Sequence, residues 1–90
     1  MKIPKTFELA GRKWKVKLDS RIKEFGLNGR CYRDTATILL DPKLDEDAMN
    51  LTFCHELIHA IMYTRGLMDY NEQDVDGTGR LLHQFMKTAK

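Results

Sequence analysis

NLTFCHELIHAIM, residues 50–62, lies where the pattern of apolar residues changes along the chain. Before this stretch, apolar and charged residues alternate, as they do in a β-strand with one buried face. From Leu44 onward, apolar residues recur every three or four positions, as they do in a helix. We therefore expect one α+β domain over residues 1–90, with a β-rich part at 1–42 and two helices within 43–90. The sheet should be small, and antiparallel or mixed.

The β-rich part contains four predicted strands. KTFELAGRKWKVKLD alternates on both sides of Ala10-Gly11, which predicts a hairpin. RCYRDTATILLD predicts a second strand pair, at about 30–33 and 36–40. Between the two pairs the sequence is irregular, and Gly26 and Gly29 predict turns there.

Two helices follow the strands. Asp45, Glu46 and Asp47 place negative charge where the dipole of the first helix favours it, and that helix should run to about Arg65, before Gly66. The second helix should span about 71–88. Its two glycines, Gly77 and Gly79, weaken a helix, so we expect close packing against the first helix to compensate.

The motif HELIH places His55 and His59 one turn apart on the same side of the first helix. Two imidazoles in this arrangement can bind one Zn²⁺ ion. Glu56 lies about 100° further round the helix, where it can reach a water on the metal and act as its general base. The motif predicts a catalytic zinc site with Glu56 as the catalytic residue.

The remaining positions of this helix argue against two ordinary surface histidines. The expected sheet-facing side consists of apolar residues: Cys54, Leu57, Ile58 and Ile61. His55 and His59 share another side with the small residues Ala48 and Thr52. Cys54 is therefore expected to be a core residue and not a ligand.

A catalytic zinc site needs a third protein ligand. The downstream candidates are Asp69, Glu72, Asp74, Asp76 and His83. A short connection makes the two helices antiparallel neighbours, which favours either Glu72 or Asp76 and leaves His83 too far along the helix. Whichever of the two carboxylates does not bind the metal can hydrogen-bond a histidine. The same segment resembles a calcium-binding loop, but His83 stands where a bidentate glutamate is required.

Charge is distributed unevenly along the chain. Residues 1–33 carry ten Lys/Arg and three Asp/Glu, a balance of +7, whereas residues 34–90 carry five and ten, a balance of −5. The favoured interpretation is that lysines protect edge strands from pairing with other chains. A nucleic-acid surface is possible but less favoured, because Trp14 and Tyr32 do not form a series of stacking aromatics.

The sequence also indicates a compartment. The opening lysines precede no apolar run, so no signal peptide is predicted, and no segment approaches the roughly 20 apolar residues that span a membrane. We expect a cytoplasmic protein in which Cys31 and Cys54 are reduced. The sequence leaves the oligomeric state open.

The sequence resembles small, often phage-encoded, zincin-like metallopeptidases of the ImmA/IrrE and SprT-like kind. Its resemblance rests on MKIPKTFELAGRKWKV, TILLDP, TFCHELIHAI and NEQDVDGTGRLLHQFM, which together cover most of the chain. In that group a glutamate on the helix after HExxH holds the zinc, and Glu72 takes its place here. The resemblance implies a minimal zincin fold in a bacterial host cell. It also implies a substrate peptide along the edge strand before the active-site helix, at about Thr37–Leu40.

Peptide deformylases provide a second comparison, because they combine a HExxH helix with an upstream cysteine ligand. Cys31 would be that ligand here, but the glycine-rich surroundings of the deformylase cysteine are absent.

The leading hypothesis is therefore a zinc-dependent peptidase acting on a peptide or protein. His55, His59 and Glu72 hold Zn²⁺, and Glu56 activates the attacking water. The alternative is a zinc-stabilised regulatory or binding module without turnover, acting on a repressor or host protein.

Overall fold

Four strands, a 3-10 helix and two α-helices make up the part of the chain described by the computed structural model, residues 2–90. The strands are β1 (Thr6–Leu9), β2 (Arg12–Leu18), β3 (Gly29–Tyr32) and β4 (Thr37–Leu40), and the helices are α1 (Glu46–Thr64) and α2 (Glu72–Thr88). Both helices begin at a side-chain cap, because Asp45 accepts a hydrogen bond from the N–H of Ala48 and Asn71 accepts one from Gln73. The α+β class is confirmed.

The strands form one mixed sheet in the order β1-β2-β4-β3. β1 and β2 form the predicted antiparallel hairpin, and β3 and β4 form the predicted second pair. β2 and β4 are parallel, with Lys15 opposite Thr37 and Val16 opposite Ile38. The parallel pair in the middle makes the sheet mixed.

The predicted position of the substrate edge strand is wrong. Thr37–Leu40 is β4, which pairs on both sides and lies inside the sheet, and the edge strand nearest the helices is β3. The physical reason is burial. Ile38 and Leu40 are both fully buried, so β4 is the strand that gains most from having neighbours on both sides.

The segment between the two strand pairs is more regular than expected. Ser20–Phe25 forms a 3-10 helix whose Ile22 is buried, and Gly26 ends it in the left-handed region with φ of 72°. Gly29 is not in a turn, because it is the first residue of β3.

The core lies between the inner face of the sheet and α1. Trp14 and Phe53 are buried, and the ring of Phe7 stacks on Trp14 at 6.1 Å between centroids and meets Phe53 edge-on at 6.2 Å. The fully buried Ala60 extends the same contact along α1. Aromatic packing therefore fixes α1 against β1 and β2 as well as against the neighbouring strands.

The expected sheet-facing side of α1 is only partly correct. Of its four residues, Leu57 packs against the sheet core. Cys54 and Ile58 are buried but lie outside that core, and Ile61 is half-buried. The reason is that the sheet packs against one side of α1 and α2 packs against another. The apolar residues of α1 are therefore divided between these two contacts.

The two helices approach most closely at Gly79. A Cβ atom at this position would lie 3.0 Å from the Cα and 3.2 Å from the backbone nitrogen of His55. The expected compensation for a helix glycine is thus confirmed at Gly79. It is wrong at Gly77, where a Cβ would meet no atom within 4 Å.

None of the helices within residues 2–90 is long and apolar enough to cross a membrane.

The two glycines provide a matched test of the helix contact. Gly79→Ala should destabilise the protein by about 1–3 kcal/mol, because backbone atoms of His55 cannot rotate away from the new methyl group. Gly77→Ala should stabilise it by up to about 1 kcal/mol, because alanine is the better helix former and the space is open. Urea denaturation measures both, and equal effects of the two substitutions would contradict the contact.

Asp41, just after β4, has a buried carboxylate that links the turn before α1 to the 3-10 helix. Its Oδ1 accepts a hydrogen bond from the N–H of Lys43 at 3.0 Å, and its Oδ2 lies 3.2 Å from Lys23 Nζ. The bond from Lys43 lowers the pKa of Asp41 most, and the charge of Lys23 adds to this against the opposing cost of burial. The folded protein therefore favours the ionised form.

Asp41→Asn should make stability depend less on pH. A lowered folded-state pKa means that the carboxylate stabilises the fold above its unfolded pKa of about 3.9 and loses this contribution as the pH falls through the folded value. Wild type should therefore be the more stable at pH 7, and the two proteins should converge below about pH 4. Urea denaturation across this range checks the expectation, and a difference independent of pH would contradict it.

Candidate metal centre

Three potential metal ligands converge between the two α-helices. His55 Nε2 lies 2.9 Å from Glu72 Oε1, and His59 Nε2 lies 3.3 Å from the same oxygen. One ligand atom from each residue falls within 4.8 Å of the other two. The structure therefore brings together the three residues that the sequence suggested as metal ligands.

The local fold explains this convergence. His55 and His59 are one turn apart on α1, while Glu72 is the first residue of α2. Asn71 caps α2, since its Oδ1 accepts a hydrogen bond from the N–H of Gln73 at 2.7 Å. The start of α2 is thereby fixed beside the C-terminal half of α1, and the close approach at Gly79 keeps the two helices together.

The other ring nitrogen of each histidine faces an oxygen atom. His59 Nδ1 is 2.7 Å from the hydroxyl of Tyr70, and His55 Nδ1 is 3.5 Å from Asp76 Oδ1. When a metal binds Nε2, the proton of a neutral imidazole is on Nδ1, and an oxygen facing Nδ1 can accept a hydrogen bond from it. Both imidazoles are thus oriented for binding on the side of Glu72.

Asp76, the alternative third ligand, lies on the far side of the His55 ring. Its Oδ2 accepts a hydrogen bond from Arg80 Nε at 2.8 Å, and its Oδ1 faces His55. The hydrogen bond from Arg80 is the main reason that its pKa is lowered, and the nearby His55 lowers it further. Asp76 therefore occupies the position of a partner that orients a histidine.

Sequence reasoning missed Tyr70. It stands in the connection between the helices, two residues before Glu72, and its hydroxyl reaches His59. Burial is the largest cause of its raised pKa, so its hydroxyl keeps its proton. Nothing in the local pattern marks this tyrosine, because its role depends on how the connection folds back over α1.

Glu56 lies on the side of α1 that faces β3. It is 8% exposed, and a Cβ at Gly29 would lie 3.2 Å from its Cγ, so the absence of a side chain at Gly29 makes room for it. The pKa of Glu56 is raised to about 7; burial is the largest cause, the neighbouring His55 opposes the increase, and Glu72 adds to it. A carboxyl group that is easily protonated thus lies beside the three converging ligands.

Burial also affects His59. It lowers the pKa of the imidazole, and the attraction of Glu72 opposes this effect. Burial therefore favours the neutral ring, which is the form that binds metal ions.

The donor set fits a zinc ion. Zinc bonds of about 2.0–2.2 Å to nitrogen and oxygen in a tetrahedral arrangement place neighbouring ligand atoms about 3.3 Å apart. The observed separations from Glu72 Oε1 are 2.9 and 3.3 Å. Two histidines and one carboxylate are a common ligand set of catalytic zinc sites.

The other candidates lie outside this group. His83 lies near Asp47, with 3.4 Å between Nε2 and Oδ1. Cys54, on α1, is buried. Cys31 borders the same cavity, but its sulfur is not among the three converging ligand atoms, and burial raises its pKa to about 12. The segment that resembles a calcium loop is helical throughout, from Glu72 onward.

An open cavity of about 500 Å³ adjoins the site. One wall comes from α1 and the first residue of α2, and the other comes from β3 and the residues before it. Glu72, with 66% of its side chain exposed, lies at the mouth. The cavity therefore connects the converging ligands with solvent along the edge strand of the sheet.

Comparison of the chain with protein-family models, with curated proteins and with solved structures found no match. The resemblance to zincin-like metallopeptidases therefore rests on the motif residues of the chain itself.

Proposed function

We propose that this protein is a zinc-dependent metallopeptidase. One observation carries the proposal: His55, His59 and Glu72 each place a ligand atom within 4.8 Å of the other two, with the buried carboxyl group of Glu56 beside them. His55, His59 and Glu72 would hold Zn²⁺. Glu56 would serve as the general base.

The roles follow from chemistry and position. When bound, zinc supplies Lewis acidity that acidifies a coordinated water and polarises a peptide carbonyl. Glu56 follows His55 in sequence, but its side chain projects toward β3 and borders the cavity. From there its carboxylate would accept the proton of the attacking water. Tyr70 and Asp76 orient the two imidazoles through their Nδ1 atoms.

A peptide suits the surroundings of the site. β3 is an edge strand, so the backbone N–H and C=O groups along its outer side are free to pair with an extended chain. Residues at and just before β3 line the cavity together with the histidines and Glu72. An extended peptide added to this edge would pass the cavity mouth.

Metal content and activity of two variants test the proposal. Wild type should bind one equivalent of zinc and cleave peptides in a quenched fluorescent library of mixed sequence. His55→Ala should lose the zinc, because the two ligands left bind the ion too weakly. Glu56→Gln should keep the zinc and lose at least about 100-fold of the activity, as expected for removal of a general base.

Atomic absorption and library cleavage measure these outcomes. Absence of stoichiometric zinc after addition of the metal would overturn the whole site. Bound zinc in a wild-type protein that cleaves no member of the library would overturn the peptidase and leave the regulatory module without turnover. Full activity of Glu56→Gln would contradict the role of Glu56.

The contacts of Tyr70 and Asp76 with the Nδ1 atoms of the two histidines should strengthen metal binding. Tyr70→Phe and Asp76→Asn should each weaken zinc binding by about 10–100-fold, as is typical when the partner of a ligating histidine is removed. Asp74→Asn changes the same charge on an exposed position of the same helix and should leave affinity unchanged. Competition with a chelating dye gives the affinities, and equal losses in Asp74→Asn and Asp76→Asn would exclude a specific contact.

A further inference from the structure

The outer face of the sheet carries a concentration of positive charge. On β2, Trp14 is buried and Val16 half-buried on the inner face, so Lys13, Lys15 and Lys17 point the other way and are exposed. β2 pairs with β1 on one side and β4 on the other. Because β2 is an internal strand, protection of a sheet edge does not explain these lysines.

Cross-strand neighbours extend this surface to β3. Opposite Lys15 lies Thr37, and opposite Thr37 lies Tyr32, which is 37% exposed. A second row runs from Lys17 through Leu39 to Arg30. We call the outward residues of these rows, with Lys13, the basic face: Lys13, Lys15, Lys17, Arg30, Tyr32, Thr37 and Leu39.

The cations of the basic face form no ion pairs within the described part of the chain, although Glu8 on β1 lies opposite Lys13. Among residues 2–90, no carboxylate oxygen lies within 4.0 Å of its three lysines or of Arg30. Elsewhere, cations pair closely with carboxylates, as Lys87 does with Asp47 at 3.0 Å and Arg80 with Asp76 at 2.8 Å. The like charges on the sheet repel one another, and an anionic partner would relieve that repulsion.

Both helices lie on the opposite side of the sheet. The core that joins α1 to the sheet is built from inward residues such as Trp14 and Ile38. α2 packs chiefly against α1. Residues 34–90, which include both helices, carry ten acidic and five basic residues, so negative charge is concentrated away from the basic face. An elongated polyanion would therefore meet attraction on the sheet and repulsion on the helices.

The basic face has the character of a platform for single-stranded nucleic acid. Alternate residues of β2 are about 6.7 Å apart, so the three lysines form a line of charge that can follow a phosphate backbone. At the end of the face, the guanidinium of Arg30 lies 5.0 Å from the centre of the Tyr32 ring. An exposed aromatic ring beside an arginine provides a surface on which an unpaired base can stack.

We propose that the basic face binds single-stranded nucleic acid without sequence specificity. Lys13, Lys15, Lys17 and Arg30 contact phosphates, and Tyr32 stacks against a base. A single strand fits better than a duplex because an open sheet face offers no element that enters a groove, whereas unstacked bases can lie on it. The proposal does not depend on the metal centre, whose ligands lie on the helices on the other side of the sheet. Arg30, on the edge strand, is the one member of the basic face that also borders the cavity beside that centre.

Fluorescence anisotropy with labelled 20-nucleotide single strands of thymidylate and uridylate tests the proposal. Four phosphate contacts give a salt slope of about −2.8, so binding should weaken about 50-fold between 50 and 200 mM salt. Replacing Lys13, Lys15 and Lys17 by Gln should leave one contact and reduce the loss over the same range to about threefold. Tyr32→Ala should weaken binding about tenfold without changing the slope.

A second triple variant controls for net charge. Replacing Lys2, Lys43 and Lys90 by Gln makes the same change outside the basic face and should retain both the affinity and the slope of wild type. Circular dichroism confirms that each variant is folded, and zinc content should be the same in both.

Three outcomes would overturn the proposal. The first is absence of binding to either single strand at 50 mM salt. The second is an equal loss in the two triple variants, which would indicate dependence on net charge alone. The third is stronger binding to a 20-base-pair duplex, or to phosphatidylserine vesicles, than to the single strands, which would assign the face to a different partner.

Discussion

The close crossing of α1 and α2 at Gly79 is the contact on which the candidate metal centre depends. His55 and His59 belong to one helix and Glu72 to the other, so no local interaction brings the three together. A missing side chain at Gly79 allows α2 to lie against the backbone of His55 itself. At that distance the carboxylates of Glu72 and Asp76, at the start of α2, reach opposite nitrogens of one imidazole ring.

A second glycine, Gly29, allows another close backbone approach on a different side of α1. At Gly29, a Cβ atom would lie 2.6 Å from Thr52 Cγ2 and 3.2 Å from Glu56 Cγ, so β3 packs closely against these two side chains. The contact buries Glu56 beside the histidines and raises its pKa, because a charged carboxylate loses hydration there. Two close backbone approaches, one from α2 and one from β3, therefore define the chemistry of a single helix.

Local geometry made the central residues predictable. The spacing of His55, Glu56 and His59 fixes their directions on any helix, and a short antiparallel connection brings Glu72 near them. The sheet order was not predictable in this way, since strand pairing depends on contacts between distant segments, and β4, which was expected at an edge, lies inside the sheet. Tyr70 was missed because its contact with His59 arises from the path of a loop, which leaves no periodic pattern.

β3 is shared by the metal centre and the basic face. Strand residues point alternately to opposite sides, so Gly29 and Cys31 face α1, while Arg30 and Tyr32 point to the outer face of the sheet. Arg30 also borders the cavity, because β3 is the edge strand. A slip of one residue in the pairing of β3 with β4 would exchange these two sets and disrupt both surfaces at once. The register that makes room for Glu56 is thus the same register that displays Arg30 and Tyr32. One four-residue strand is therefore constrained from both faces. The close approach of α1 on the inner face accounts for a glycine at a position where strands ordinarily disfavour it.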